Sequence, residues 1–525
     1  MASSSSSLRV PVPERSLSIE PSRAQVTDAA QSEARKPAPR WFAVIGCVGL
    51  AVYALFLSRH MTVVAGGSDS SGYLNSARLF AAGELQVDLR VPEEFGAVAT
   101  VDRAHFSPQG FGVFEGNLRL PPSYPTGLPL HFALASRILG WTAGPFFVQL
   151  LAAVAAVWLS YFTARAMGLH HTLAAAGAVV LATFPVFIFT SIQTLSDTMA
   201  TTWALAAVAC MVKARGATAW AVAAGAAFAM GVLVRPTNVL IAPALVVLLG
   251  WNVRRLVAFG LGGLPGAAWF AYYNHTLYGG AFKSGYGDIW ACFAWEFGWP
   301  TAAHFAEWLL KLLPAAMLLW PLAALAHRAT RTRAWGAMLL LFSAHAGVYL
   351  FYNVSHDTWW CLRFILPAVA ALILAGLMGA EAMARWADQL GWRGVRPTLA
   401  AVLVGGAIAN SWYWTQNLSI LHVPGYERAY AEAAEKIRGL VPPKAIVLCS
   451  AASGTIYFYT ELPTLVYDSI TPPIFEEYVA KARGAGRAIY AAVFDIEEED
   501  ALRQRCPGNW HKITAAGNLG IWELR

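Results

Sequence analysis

Apolar runs of near-bilayer length recur from Trp41 to Trp414, and short connections between them carry most of the charge. A hydrocarbon core about 30 Å thick takes roughly twenty apolar residues per crossing, so this pattern predicts a polytopic α-helical membrane protein. The basic residues set its orientation. Arg35, Lys36 and Arg40 precede the first run, and Arg165, Lys213, Arg215, Arg254, Arg255, Arg328, Arg331, Arg333, Arg385, Arg393 and Arg396 fall in later connections. The positive-inside rule places all of these in the cytoplasm and the intervening turns, near Gln193, Pro236, 278–301 and 355–362, outside. Parity then demands an odd number of crossings in 122–164. Taking 122–139, broken by Pro125, Gly127 and Pro129, as only partly inserted gives about eleven spans, with the C-terminal tail outside.

The pattern divides the chain into three parts. Residues 1–40 read as a disordered cytoplasmic tail, with a serine run and several prolines; the late apolar segment does not fit a cleaved signal peptide. Residues 41–416 form the membrane body, interrupted by a first outer loop, 59–122, far longer than an ordinary connection. Residues 417–525 alternate helices (426–440, 455–459, 473–482, 498–504) with strands (445–450, 464–467, 487–494, 520–524), which predicts a small extracytoplasmic α/β domain. No Gly-rich nucleotide fingerprint follows its first strand.

Composition narrows the class. With 57% hydrophobic residues, 13% charged residues and mean hydropathy +0.47, the chain is not a soluble enzyme. Its pI near 9.1 invites a nucleic-acid partner, but the basic residues are dispersed among loops rather than gathered into a footprint. Of six cysteines, Cys292 and Cys361 fall in outward loops and Cys449 and Cys506 in the tail, where disulfides are chemically permitted; spacing does not fix a pairing.

Once the chain is oriented, its unusual polar residues gather on the outer side. Asp69 lies just past the first apolar run, at the start of an amphipathic helix expected over 70–82 and closed by Gly83. Ser68 or Asp69 could simply N-cap that helix, yet a carboxylate in a long outer loop also suits chemistry at the lipid–water boundary. Asp197, Arg235, Lys283, Tyr286, His356, Asp357 and Arg363 join it, with Tyr73 on the same helix and Trp359 and Trp360 before a later span. Charged groups at membrane depth are costly and generally face a cavity. Two acids opposite several cations suit a substrate that is both hydroxylic and phosphorylated: a carboxylate positions or deprotonates a hydroxyl, and Arg or Lys neutralises phosphate. Each residue also has a plainer role. Asp197 would sit favourably in a helix first turn, Arg235 could snorkel to headgroups, Lys283 could be a solvated loop charge, and Arg363 with Trp359 and Trp360 could anchor an interface. His105 and His356 lack partners at metal-ligand spacing.

The segments Ser68-Asp69-Ser70-Ser71-Gly72-Tyr73-Leu74-Asn75, Pro122-Ser123-Tyr124-Pro125-Thr126-Gly127, Leu195-Ser196-Asp197, Leu233-Val234-Arg235-Pro236-Thr237-Asn238 and Trp359-Trp360-Cys361-Leu362-Arg363 occur in an order that resembles the GT-C superfamily. These are polyprenyl-phosphate-sugar-dependent glycosyltransferases, here most similar to the protein mannosyltransferases and the lipid A aminoarabinose transferase. The resemblance implies a multi-pass enzyme of the plasma membrane that moves a sugar from a polyprenyl-phosphate donor to an acceptor hydroxyl on the extracytoplasmic face. It casts Asp69 as the acceptor's general base and Asp197 as the second acidic position, with Arg235 and Arg363 contacting lipid phosphate. Lys283, Tyr286, Tyr73, His356 and Trp360 complete the expected substrate-binding set. No cofactor is certain. Some relatives use a divalent metal, but the acidic pair expected beside Asp197 is missing here. The acceptor stays open between protein, glycan and lipid. A lipid-linked sugar flippase, a glycan ligase or polymerase, and an envelope scaffold are the rival readings.

Overall fold

The computed structural model describes residues 39–326 and 331–525. Residues 1–38, read above as a cytoplasmic tail, and Arg328 lie outside the described residues. Helix α1 (Arg40–His60) has 21 residues and so is about 30 Å long. Leu57 is its one buried side chain, so its apolar surface faces outward. The long first loop follows, with α2 (Ser68–Ala81) closed by Gly83 at φ 80°. Helix α3 (Gly127–Ala166) has 40 residues, which would span about 60 Å if straight. It breaks at Gly140, φ 79°, a conformation that glycine adopts at little cost. There the chain folds back so closely that a Cβ on Gly144 would lie 2.6 Å from Ser136 N.

The bundle continues with α4 (His171–Thr183), α5 (Pro185–Ser191), α6 (Ser196–Lys213) and α7 (Thr218–Val234), then a 3-10 turn (Pro236–Ile241) leading into α8 (Ala242–Leu249) and α9 (Val253–Tyr278). After a long connection come α10 (Gly298–Leu312), α11 (Ala315–Ala326) and α12 (Arg333–Tyr349). A 3-10 segment (Trp359–Ile365) then runs into α13 (Leu366–Gln389), followed by α14 (Val395–Asn417). Among the described residues, four stretches are individually long and apolar enough to cross a membrane: α1, α3, α9 and Trp359–Gln389. Two bent pairs qualify jointly, α4 with α5 at 61° and Trp295–Leu312 with Ala315–Leu325 at 103°. The protein is a polytopic helical membrane protein. Helix α13 is its central post, buried along most of its length, as a run from Leu366 to Met383 that is apolar or small throughout except for Glu381 would require.

Small residues bring these helices together. A Cβ on Gly225 of α7 would lie 1.9 Å from Phe259 O of α9, and one on Gly262 of α9 would lie 2.0 Å from Val222 O. Lipid is as apolar as leucine, so helix association in a bilayer draws on such close approach rather than on hydrophobic burial. At the opposite end from the first loop, the Glu381 carboxylate accepts from Arg385 Nε at 3.1 Å and Arg396 Nε at 3.2 Å, tying α13 to α14.

Helix α15 (Val423–Leu440) opens the C-terminal layer. It is followed by β1 (Ile446–Cys449), α16 (Ser453–Tyr459), β2 (Thr464–Val466), α17 (Pro472–Gly484), β3 (Ile489–Phe494), a π-helical turn (Glu499–Arg505), β4 (Trp510–Ala516) and β5 (Leu519–Leu524). The sheet order is β2-β1-β3-β5-β4. Strand β1 runs parallel to β2 and β3, with Val447 opposite Thr464 and Tyr490, and β5 is antiparallel to β3 and β4. The inner strands are buried on both faces, as a helix-covered parallel core demands. Ile446, Leu448, Ile489, Ala491 and Val493 face α17, while Val447, Cys449, Tyr490 and Ala492 face α15 and α16. Phe95 and Phe106 of the first loop complete the α17 side, so loop and sheet share one core. Strand β4 is an element the sequence pattern did not give. All six cysteines are free, and Cys449 and Cys506 are each buried on their own.

Candidate functional site

Four charged residues from four separate places meet at the mouth of the bundle. Asp69 is the second residue of α2, Asp197 the second of α6, Arg235 ends α7, and Arg363 lies in the 3-10 turn before α13. Arg363 Nη1 lies 2.9 Å from Asp69 Oδ2 and 3.9 Å from Asp197 Oδ2. Arg235 Nη1 donates to Asp197 Oδ1. Arg363 thus bridges the two acids, and 294 positions of sequence separate it from Asp69. Asp197 is almost sealed, 2% exposed, whereas Asp69 retains 31%. The Phe364 ring sits between the two cations, 5.3 Å from the Arg235 guanidinium carbon and 5.4 Å from that of Arg363, an arrangement favourable for cation–π attraction.

Local sequence explains each placement. The N-cap of α2 is Gly67, with no side-chain cap. Neither Ser68 nor Asp69 is the cap considered above, and the Asp69 side chain turns to Arg363 instead. An acid in the first turn still gains from the helix dipole, as does Asp197 at the start of α6. Arg235 precedes Pro236, which excludes helical geometry at that position; its φ of −148° and ψ of 110° end α7 and swing the side chain back toward α6.

A hydroxyl shell surrounds the acids. Tyr73 donates to Ser196 Oγ at 2.8 Å, and its ring packs 4.8 Å from that of Tyr124. Tyr124 shares a 2.8 Å hydrogen bond with Ser68. Burial, and then the Asp69 charge, push both phenols well above their ordinary range, so they stay protonated and available as donors. Tyr286 stands edge-on to Tyr124 at 6.0 Å. Beside this group lies a cavity lined by Tyr124, Thr126, Pro236, Tyr273, Tyr278 and Tyr286 among others, all uncharged.

The remaining expected residues sit elsewhere. Lys283 is exposed on the α9–α10 connection, with no contact to the four charges among the described residues. His356 bonds Thr301 across to α10 at 3.3 Å, and Trp360 stacks on Phe189 at 6.1 Å. His105 bonds the Tyr478 hydroxyl at 2.9 Å, a packing role. Three residues were not singled out from sequence. Glu427 of α15 accepts from Gly67 N at 3.3 Å, and burial raises its carboxyl above the ordinary value. Tyr349 donates to Thr237 at 3.1 Å and stacks on Phe364. His345 of α12 is fully buried. Among the described residues the Arg363 Nε is buried without a hydrogen-bond partner.

A divalent metal does not fit this donor set. Both carboxylates are engaged by arginines, and no three His, Cys, Asp or Glu residues gather in a metal-binding group among the described residues. No step below is routed through one.

The fold, a helical membrane bundle with a small C-terminal sheet layer, is shared with the solved structures that follow. Residues 125–269 match the family model described as dolichyl-phosphate-mannose-protein mannosyltransferase, which includes Asp197 and Arg235. ArnT from Cupriavidus metallidurans bound to undecaprenyl phosphate superposes with TM-score 0.56 at 14% identity, over 93% of this chain and 98% of that one. Its apo state gives TM-score 0.57, also at 14% identity, over 92% and 97%. The Archaeoglobus fulgidus oligosaccharyltransferase tethered to an acceptor peptide gives 0.55 at 14% identity, over 92% of this chain and 74% of that one. Among curated proteins none matches this chain by sequence.

Proposed function

We propose that the protein is an integral-membrane glycosyltransferase that moves a sugar from a polyprenyl-phosphate donor to an acceptor hydroxyl on the extracytoplasmic side of the plasma membrane. Domain limits at 1–40, 41–416 and 417–525, and about eleven crossings, belong to this reading. The observation that carries it is the bridge Asp69–Arg363–Asp197–Arg235, which sets a partly exposed carboxylate beside two cations. In the reaction, the acceptor oxygen attacks the anomeric carbon as Asp69 takes the hydroxyl proton. The bond from that carbon to the phosphate oxygen breaks, and its electron pair leaves on the lipid phosphate, which Arg363 and Arg235 stabilise. Attack opposite the leaving group inverts the anomeric centre. Tyr73, Tyr124 and Tyr286 offer hydroxyls and ring faces to the sugar.

The test uses lipid-linked sugars extracted from membranes of the producing cells and labelled in the sugar. The purified protein should release free polyprenyl phosphate and transfer label, and Asp69→Asn should abolish both. Movement of intact donor across vesicles without bond cleavage would establish a flippase instead.

A further inference from the structure

The segment that carries Asp69 into place is held by the C-terminal layer, not by the membrane bundle. Between the end of α1 and the start of α2, Ala65, Gly66 and Gly67 have no regular structure. Five of their backbone polar groups are bonded: Gly67 O by Ser71 N of α2, and the other four by side chains from α15 and α16. Ala65 N donates to the Tyr459 hydroxyl at 3.2 Å. Thr455 Oγ1 donates to Ala65 O at 2.6 Å and Gly66 O at 2.9 Å. Gly67 N donates to Glu427 Oε2 at 3.3 Å. In a capping box, a Glu three residues into a helix reaches back to the N-cap amide. Ser70 occupies that position in α2, and Glu427 supplies the missing carboxylate from 360 residues away.

The fit is close. A Cβ on Gly66 would lie 1.9 Å from Glu427 Oε2, and one on Gly454 would lie 2.3 Å from Ser71 Oγ. Asn75, one turn along α2 from Ser71, donates to Gly454 O at 2.9 Å. Two adjacent glycines would otherwise leave the start of α2 free to drift. Misplacing a reacting group by about 1 Å can cost roughly 10²-fold in rate.

We propose that Glu427, Thr455 and Tyr459 are positioning residues that fix Asp69 relative to Arg363, making the C-terminal layer part of the active centre. This rests on the reading of Asp69 as the base. Four substitutions at three residues separate the possibilities in full-length protein: Thr455→Val, Tyr459→Phe, and Glu427→Ala against Glu427→Gln. With the labelled lipid extract as donor, kcat should fall on the order of ten- to a hundredfold in Thr455→Val and Glu427→Ala, with donor KM unchanged. Tyr459→Phe should fall less, and Glu427→Gln should recover most of the rate, because its amide oxygen still accepts from Gly67 N. Wild-type kcat in both severe variants, beside an inactive Asp69→Asn, overturns the positioning role and leaves the base assignment standing. An active Asp69→Asn overturns the base assignment itself. Rate losses that merely follow the loss of folded protein on heating, with no recovery in Glu427→Gln, also overturn the positioning role.

Discussion

Neutralising the two acids should separate chemistry from stability. Asp197 is 2% exposed and neutralises Arg235, which is itself 15% exposed. Asp197→Asn leaves that guanidinium buried beside Arg363 with no full counter-charge. Breaking a buried pair from one side costs about 3–5 kcal/mol. Asp69 is 31% exposed, and its partner Arg363 keeps Asp197 at 3.9 Å after the change. Asp69→Asn should therefore cost about 1 kcal/mol for the half-solvated pair, plus a few tenths for the lost first-turn charge on α2. Its rate should nevertheless fall roughly 10²- to 10⁴-fold, the usual contribution of a general base. Thermal unfolding followed by tryptophan fluorescence, and donor cleavage on the same detergent-purified samples, measure both quantities. Equal destabilisation by the two substitutions would refute the burial argument. Turnover by Asp69→Asn within tenfold of wild type would refute the catalytic one.

Arg363→Ala should raise donor KM on the order of tenfold or more, the worth of a charged hydrogen bond of about 1.5–3 kcal/mol, with Arg363→Lys recovering part of it; steady-state kinetics on the lipid extract checks this. Glu427 gives a pH signature. Burial, and next to it the Asp69 charge, raise its carboxyl, against the lowering bonds from Gly67 N and Ser70. The folded protein keeps this proton over a range where the unfolded chain, near its ordinary 4.5, has lost it. Its contribution to stability is therefore complete below that value and falls as pH rises through the folded one. Glu427→Gln should flatten the decline of melting temperature across that window, and an unaltered slope would count against it.

Much of the architecture was legible because it is periodic. Runs of bilayer length, the switch to strand–helix alternation after 416 and the glycine closing α2 are local signals. Strand β4 escaped because it is an edge: His511, Lys512 and Ile513 are exposed, so neither alternation nor an apolar run marks it. Asp69, Asp197, Arg235 and Arg363 stood out because charge is rare beside apolar runs. Glu427 did not, because it sits in an ordinary amphipathic helix whose other acids face water, and its partner amide lies 360 positions away. The same holds for His345 and Tyr349, single polar residues on an apolar helix whose neighbours only tertiary packing supplies. Lys283 and His356 met the charge criterion equally well, but chain geometry carried them elsewhere.

Two carboxylates against two guanidiniums leave the mouth near electrical balance. Such a site casts little potential beyond a Debye length, so it draws anions from afar only weakly. Capture of a lipid-borne ligand would then be governed by sideways diffusion within the leaflet, and the encounter rate should vary little with ionic strength.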